Sequence, residues 1–301
     1  MQRVDRGLVG DSFDLQGLLG LRFAAAELKL RSHQRSRAVM FGRHASKIRG
    51  RGMSFSESRP YQPGDDVRLI DWRVTARSTR THTKVFEEEK QRPVFLVMDF
   101  TQSMFFGTRR AFKHVAAAEA AATVAWSCVG GGDHVGGLLV SPASHSELKP
   151  KSGRPALMRF FHALLDAQQH RYQPESVRIN DALKRAIHVV RPGSLVLVFS
   201  DFYQFDEKSE QQLVRLKQHN DLILCQVLDP VEIQSPPAGR YPVSNGTNTR
   251  LLDSRGAEGE RLAGTLEELQ NSVRRVADRH RFGYGLIRTD QSVLDQIKLV
   301  L

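Results

Sequence analysis

Val94-Phe-Leu-Val-Met-Asp99-Phe-Thr101-Gln-Ser103-Met104 opens with a strand-length apolar run and closes with a carboxylate and two hydroxyls at alternate positions. An apolar run without polar alternation marks a strand buried on both faces, as in a parallel sheet. Side chains at alternate positions of an extended loop point the same way, so Asp99, Thr101 and Ser103 are expected to converge. Their hard oxygens suit Mg²⁺, which takes one or two carboxylates and keeps several waters. A plainer reading stays open beside this one: Asp99 caps a turn and the hydroxyls cap the next helix.

Outward from this run, strand and helix patterns alternate. Strands are predicted over 93–99, 134–140, 194–200, 221–228 and 282–288. Helices are predicted near 108–128, 154–167, 179–191, 206–219 and 260–281. This order predicts an α/β fold: a doubly wound, mainly parallel sheet with helices on both faces. The alanine-rich segment from Ala111 to Ala125 suits a helix buried on much of its circumference, and Gly130-Gly131-Gly132 ends it. Leu157, Phe160, Phe161, Leu164 and Leu165 form a one-sided core stripe. Residues 229–259 break the alternation; Asn245-Gly246 between two short apolar segments predicts a hairpin there.

The run Leu195-Val-Leu-Val-Phe-Ser200-Asp201 repeats the opening pattern, a buried strand ending in a hydroxyl and a carboxylate. Ligands of open α/β sheets bind outside the carboxyl ends of the strands. With an extra edge strand near 144–149, the strands ending at Asp99 and Asp201 are the first and fourth. Those two are neighbours in the common doubly wound order, which sets both carboxylates on one rim.

The remaining chain divides by composition. Residues 1–41 read as an N-terminal amphipathic helix, over 11–32, and a basic linker. Residues 42–92, punctuated by Gly50, Gly52, Pro60, Pro63 and Gly64, read as a small β-rich subdomain, and 93–301 form the α/β domain. In the stretch Tyr61–Trp72, alternating Arg and Asp suit structural ion pairs.

The net charge is +11, with apolar residues at 40% and charged ones at 26%, the make-up of a globular chain. Residues 28–56 carry eight Lys and Arg with no Asp or Glu, which attracts an acidic protein face, nucleic acid or lipid headgroups. No apolar run reaches the roughly 18 residues of a membrane span. The N-terminus shows no signal-peptide hydrophobic core, so a cytoplasmic location is expected. Cys128 and Cys225 lack paired spacing and read as reduced core residues. No HExxH, GxSxG or P-loop spacing occurs, and no nucleic-acid reader motif is recognisable. Two alternatives to a binding module remain: a nucleic-acid or acidic-surface binder through 28–56, and a phosphoryl-transfer enzyme using Asp99 as nucleophile. The latter lacks a second Asp two residues on, where Thr101 stands.

Asp99-x-Thr101-x-Ser103 with Ser200-Asp201 resembles the metal-ion-dependent adhesion site of von Willebrand factor type A domains. The block Gly50-x-Gly52, Phe55-x-Glu57-x-Arg59-x-Tyr61-x-Pro63-Gly64-Asp65-Asp66-x-Arg68-x-Ile70-Asp71-Trp72 resembles the signature of domain-of-unknown-function family 58. The resemblance covers roughly residues 40 to 300. It implies a von Willebrand A-like, non-catalytic interaction protein paired with a MoxR-type AAA+ ATPase, acting as a chaperone on client proteins. It implies Mg²⁺ held by Asp99, Thr101, Ser103 and Asp201, with a partner's carboxylate completing the coordination. Thr101 stands where serine is commoner. The loop before residue 179 often supplies a threonine; here Ser176 is its hydroxyl. Arg49, Arg51, Arg59, Asp65, Asp66, Arg68, Asp71 and Trp72 are the candidate partner-binding residues of the signature block.

Overall fold

The computed structural model describes residues 7–28, 53–88, 93–142, 145–170, 179–234, 237–244, 248–255 and 257–301. In chain order its elements begin with α1 (Leu15–Gly20), α2 (Arg22–Ala25), β1 (Met53–Pro60), α3 (Trp72–Thr75) and β2 (His82–Glu88). Next come β3 (Val94–Asp99), α4 (Lys113–Gly130), β4 (Val135–Val140), β5 (His145–Lys151), α5 (Arg154–Gln169) and α6 (Ile179–Val189). The rest are β6 (Leu195–Ser200), α7 (Glu207–Lys217), β7 (Asp221–Leu228), α8 (Pro230–Ile233), β8 (Arg240–Ser244), β9 (Thr249–Asp253), α9 (Ala257–His280), β10 (Gly283–Arg288) and α10 (Val293–Val300). The chain forms two compact units, residues 1–30 with 92–301, and residues 31–91.

The larger unit is built on a six-stranded sheet in the order β10-β7-β6-β3-β4-β5. All pairings are parallel except β4 with β5, at the edge. This is the predicted α/β architecture. Every residue of β3, β4 and β6 is buried, as their unbroken apolar runs require. Along β3, Leu96 and Met98 face the layer of α4, α5 and α10, and Phe95 and Val97 face the layer of α6, α7 and α9. The two stripes alternate because side chains on a strand alternate.

The helix α4 is buried almost all round, from Lys113 to Ala125. Small side chains let it approach the sheet, and the N-terminal segment covers its outer side. Gly10 bridges to Ala111, Leu8 N–H donates to Glu119 Oε2 at 3.0 Å, and the Trp126 indole donates to the Leu18 carbonyl at 3.0 Å. The Ser127 hydroxyl donates to the Leu28 carbonyl at 2.8 Å. Over 11–28 the single helix expected over 11–32 is instead the short pair α1 and α2, because these tertiary anchors set the path of a segment whose Gly17 and Gly20 give helix little support; residues 29–32 lie outside the described residues.

The expected edge strand near 144–149 is β5, and the expected hairpin is β8 with β9. Gly136 sits at the irregularity in the β4–β5 ladder. A Cβ there would lie 2.6 Å from the Leu148 carbonyl oxygen and 2.7 Å from Pro150 N. Both are backbone atoms, so Gly136→Ala must push the edge strand outward. It is expected to destabilise the fold by about 1–3 kcal/mol, read as a lower urea midpoint.

The smaller unit contains the antiparallel pair β1–β2 and two short helical turns, at Val67–Leu69 and α3. Among the described residues no helix is long and apolar enough to cross a membrane. Cys128 and Cys225 are buried free thiols, as the sequence predicts.

Candidate functional site

Parallel pairing of β3 with β6 brings the two carboxylate-bearing strand ends side by side, with Met98 opposite Phe199. The Ser200 hydroxyl donates to Asp99 Oδ2, and the Thr101 backbone N–H donates to Asp99 Oδ1 at 2.8 Å. Beside them, Asp201 Oδ1 accepts from Tyr203 N–H at 2.9 Å. Phe202, between the two, holds φ at +56°, a left-handed conformation that a bulky residue rarely adopts. Its ring is fully buried against Phe205, and its N–H donates to Ser200 Oγ at 2.9 Å. Packing thus holds a backbone bend that aims Asp201 at the rim.

Asp99, Thr101, Ser103, Asp201, Ile179, Tyr203 and Gln204 line a cavity of about 10 Å³, enough for roughly one water-sized group. Asp99 and Asp201 are 3% and 2% exposed. The hydroxyls of Thr101 and Ser103 lie 3.4 Å apart. They converge, but not along an extended loop: Gln102–Met104 is a 3-10 turn that folds Ser103 back beside Thr101. The turn-capping role of Asp99 is also real, since its Oδ1 accepts from Thr101 N–H. Gln204 Oε1 is buried and has no hydrogen-bond partner among the described residues.

The sequence reading missed Lys113. Its ammonium donates to Asp201 Oδ2 and to Glu232 Oε1, each at 2.7 Å, and its side chain is 2% exposed. Burial opposes its charge, but Asp201 and Glu232 outweigh burial and hold its pKa above the ordinary lysine value. Glu232 is pushed up by burial, which the attraction of Lys113 only partly offsets. The same network continues along the rim. Glu232 Oε2 accepts from Asp229 N–H at 2.8 Å, and the Asp229 carboxylate takes Thr108 N–H, the Thr108 hydroxyl and the Thr289 hydroxyl. The ends of β6, β7 and β10 and the loop before α4 are therefore one hydrogen-bonded system.

Electrostatics at the cavity favour an added positive charge. The Asp99 pKa is raised to about 6, first by burial and next by the charge of Asp201, against the hydrogen bonds from Ser200 and Thr101. A single ammonium serves Asp201 and Glu232, and Asp99 has no cation of its own among the described residues. The donors facing the cavity are carboxylate, hydroxyl and amide oxygens, which fit a hard divalent cation. Among the described residues no cluster of three or more His, Cys, Asp or Glu is arranged to hold a metal, so any ion here relies on the hydroxyls. Ser176, Arg49 and Arg51, and nearly all of the basic stretch 28–56, lie outside the described residues.

The signature block resolves differently. Arg59 pairs with Asp65 at 2.8 Å, and Asp65 Oδ2 accepts from Gln62 N–H. Asp66 caps the Val67–Leu69 turn through Arg68 N–H. Asp71 accepts from Arg73 N–H, Val74 N–H and the Ser58 hydroxyl. These four candidates for partner contact hold the smaller unit together, while Arg68 and Trp72 face solvent.

The sequence profile of the family described as "Protein of unknown function DUF58" matches residues 57–279. The chain belongs to the DUF58 family. The uncharacterized protein Rv1480 of Mycobacterium tuberculosis and the uncharacterized protein Mb1516 of Mycobacterium bovis are each 31% identical to it over 224 residues, 73% of this chain and 68% of theirs. YeaD of Bacillus subtilis is 44% identical over 41 residues, 14% of this DUF58 chain and 10% of its own. Among solved structures, BatB from Bacteroides thetaiotaomicron is similar at a TM-score of 0.40 and 13% identity, covering 69% of this chain and 96% of its own. A von Willebrand factor type A protein from Catenulispora acidiphila is similar at a TM-score of 0.40 and 10% identity, over 72% of this chain and 43% of that one.

Proposed function

We propose that this DUF58 protein is a non-catalytic, von Willebrand A-like interaction module of the cytoplasm whose rim cavity takes a divalent cation. The observation that carries the reading is the meeting of two buried carboxylates, Asp99 and Asp201, with two hydroxyls in one small cavity. Asp99, Thr101, Ser103 and Asp201 would hold the ion, with Mg²⁺ the matching hard cation. When bound, the ion supplies a Lewis-acidic point that a carboxylate of another protein can complete. The protein's own part is positional. Ser200 and the Thr101 backbone orient Asp99, and Lys113 and the Tyr203 backbone orient Asp201.

The partner in this reading is a MoxR-type AAA+ ATPase, with the pair acting as a chaperone on client proteins. A nucleophilic role for Asp99 is less well supported, because both of its oxygens accept hydrogen bonds and the residue is 3% exposed. Isothermal calorimetry with Mg²⁺ or Mn²⁺ is expected to show one site per chain. Asp99→Ala is expected to weaken it at least 100-fold and to lower capture of a purified AAA+ partner. No heat of binding in the wild type, with partner capture unchanged in Asp99→Ala, rules out the metal-dependent version.

A further inference from the structure

The signature block exposes three large apolar side chains within six residues: Val67 at 62%, Leu69 at 40% and Trp72 at 70%. Between and after them, Arg68, Arg73 and Arg77 are exposed and make no ion pair among the described residues. The backbone beneath is firmly held. Asp66 caps the turn, Ile70 bridges to Thr83, Asp71 N–H donates to the His82 carbonyl at 2.8 Å, and the Thr83 hydroxyl donates to the Leu69 carbonyl. Hydrogen bonds thus fix a turn whose apolar side chains remain in large part exposed. Rigid presentation lowers the entropy lost when such side chains are covered. Trp and Arg are also the residues that most often dominate binding energy at protein interfaces.

We infer that Val67, Leu69 and Trp72 with Arg68, Arg73 and Arg77 form a docking surface for an acidic protein face carrying an apolar cleft. The guanidinium groups set the charge of the partner, because Arg68, Arg73 and Arg77 are exposed without an ion pair among the described residues, whereas Asp65 is paired with Arg59 and Asp71 is buried beneath the turn. A second copy of the chain would set like charges against each other. Nucleic-acid strands are bound on successive aromatic platforms, whereas two of the three large side chains here are aliphatic. A lipid surface takes a longer amphipathic face than one four-residue helix offers. The surface uses none of the rim residues, so this inference goes beyond the rim-site reading and does not depend on it.

The test uses the full chain and a synthetic helical peptide with Glu and Leu at i, i+4 spacing. The same peptide with Lys for Glu, a single-stranded oligonucleotide and phosphatidylglycerol vesicles serve as controls. The acidic peptide is expected to bind saturably by calorimetry and to shift the tryptophan emission to the blue, more weakly as salt rises. Trp72→Ala and Arg68→Glu/Arg73→Glu are each expected to weaken it at least tenfold. These positions are solvent-exposed, and circular dichroism checks that the variants fold. Asp99→Ala and EDTA are expected to leave peptide binding unchanged, so failure here and failure of the rim site are told apart. Absence of binding to the acidic peptide overturns the inference. So does equal binding of the lysine peptide, or Trp72-dependent binding that favours the oligonucleotide or the vesicles.

Discussion

Lys113→Met is expected to destabilise the protein by about 3–5 kcal/mol, because it leaves buried charges without their partner. Asp201 and Glu232 share that one ammonium, with side-chain exposures of 3% and 12%. In a unit of this size the loss corresponds to a fall in Tm of roughly 10 °C. The effect depends on pH in a definite direction. Without Lys113 the burial that pushes Glu232 up loses its largest offset, so the folded state holds a proton on Glu232 more tightly than the unfolded chain does. Stability from the protonated form is then present at low pH and lost as pH rises. Urea denaturation should therefore show a larger deficit at pH 8 than at pH 5. The triple change Lys113→Met, Asp201→Asn and Glu232→Gln should recover most of it, since removing a whole buried ion network is far milder than breaking one. A small deficit that does not vary with pH would mean that Lys113 contributes only its packing.

Asp99→Asn is expected to do the opposite, raising the stability of the metal-free protein at pH 7.5 by on the order of 2 kcal/mol. The folded pKa is about 6 against an ordinary value of 3.8, raised first by burial and then by Asp201. Stability from the neutral form is fully present below about pH 4 and lost as pH rises through 6. Above that, the wild type carries an ionised group its surroundings disfavour. Asparagine keeps an acceptor for the Thr101 N–H and removes the charge. Wild type and variant should therefore be about equally stable near pH 4, diverge as pH rises from 4 to 6, and differ by a constant amount above about pH 7. The same substitution should abolish any rise in Tm on adding Mg²⁺ or Mn²⁺. Gain of stability with loss of ion binding is the signature of a site held against the preference of the fold. Destabilisation of Asp99→Asn at every pH would instead assign the carboxylate a structural role.

The strands of the sheet were legible because each is an unbroken apolar run ended by a turn residue. β3, β4, β6, β7 and β10 all begin within one residue of the expected positions. Adjacency of Asp99 and Asp201 followed from the order of such folds, and β3 does pair with β6. What escaped is what depends on distant partners. α4 begins at Lys113 rather than near 108, because Thr108 is tied to Asp229 and Ala111 to Gly10. Lys113 in an alanine-rich helix gives no local sign of burial, since one of its partners lies 119 residues away in sequence. In the signature block, alternation of Arg and Asp marked the right stretch but not which charges turn inward. That division rests on capping hydrogen bonds to Arg68 N–H and Arg73 N–H and on the Arg59 pairing.

The covering of α4 by the N-terminal segment separates two kinds of boundary. Sequence similarity delimits the family at residues 57–279. Cooperative folding of the larger unit has other limits, because residues 7–28 seal α4 and the strand β10 completes the sheet beyond β7. Lys298 even reaches Glu27 at 2.7 Å, tying the two flanks together. A fragment cut at the similarity limits would bare the apolar outer side of α4 and leave β7 as an open edge of Leu, Ile and Val. Such an edge is a template for intermolecular pairing. In this protein, elements outside residues 57–279 thus cover apolar surface on elements inside them.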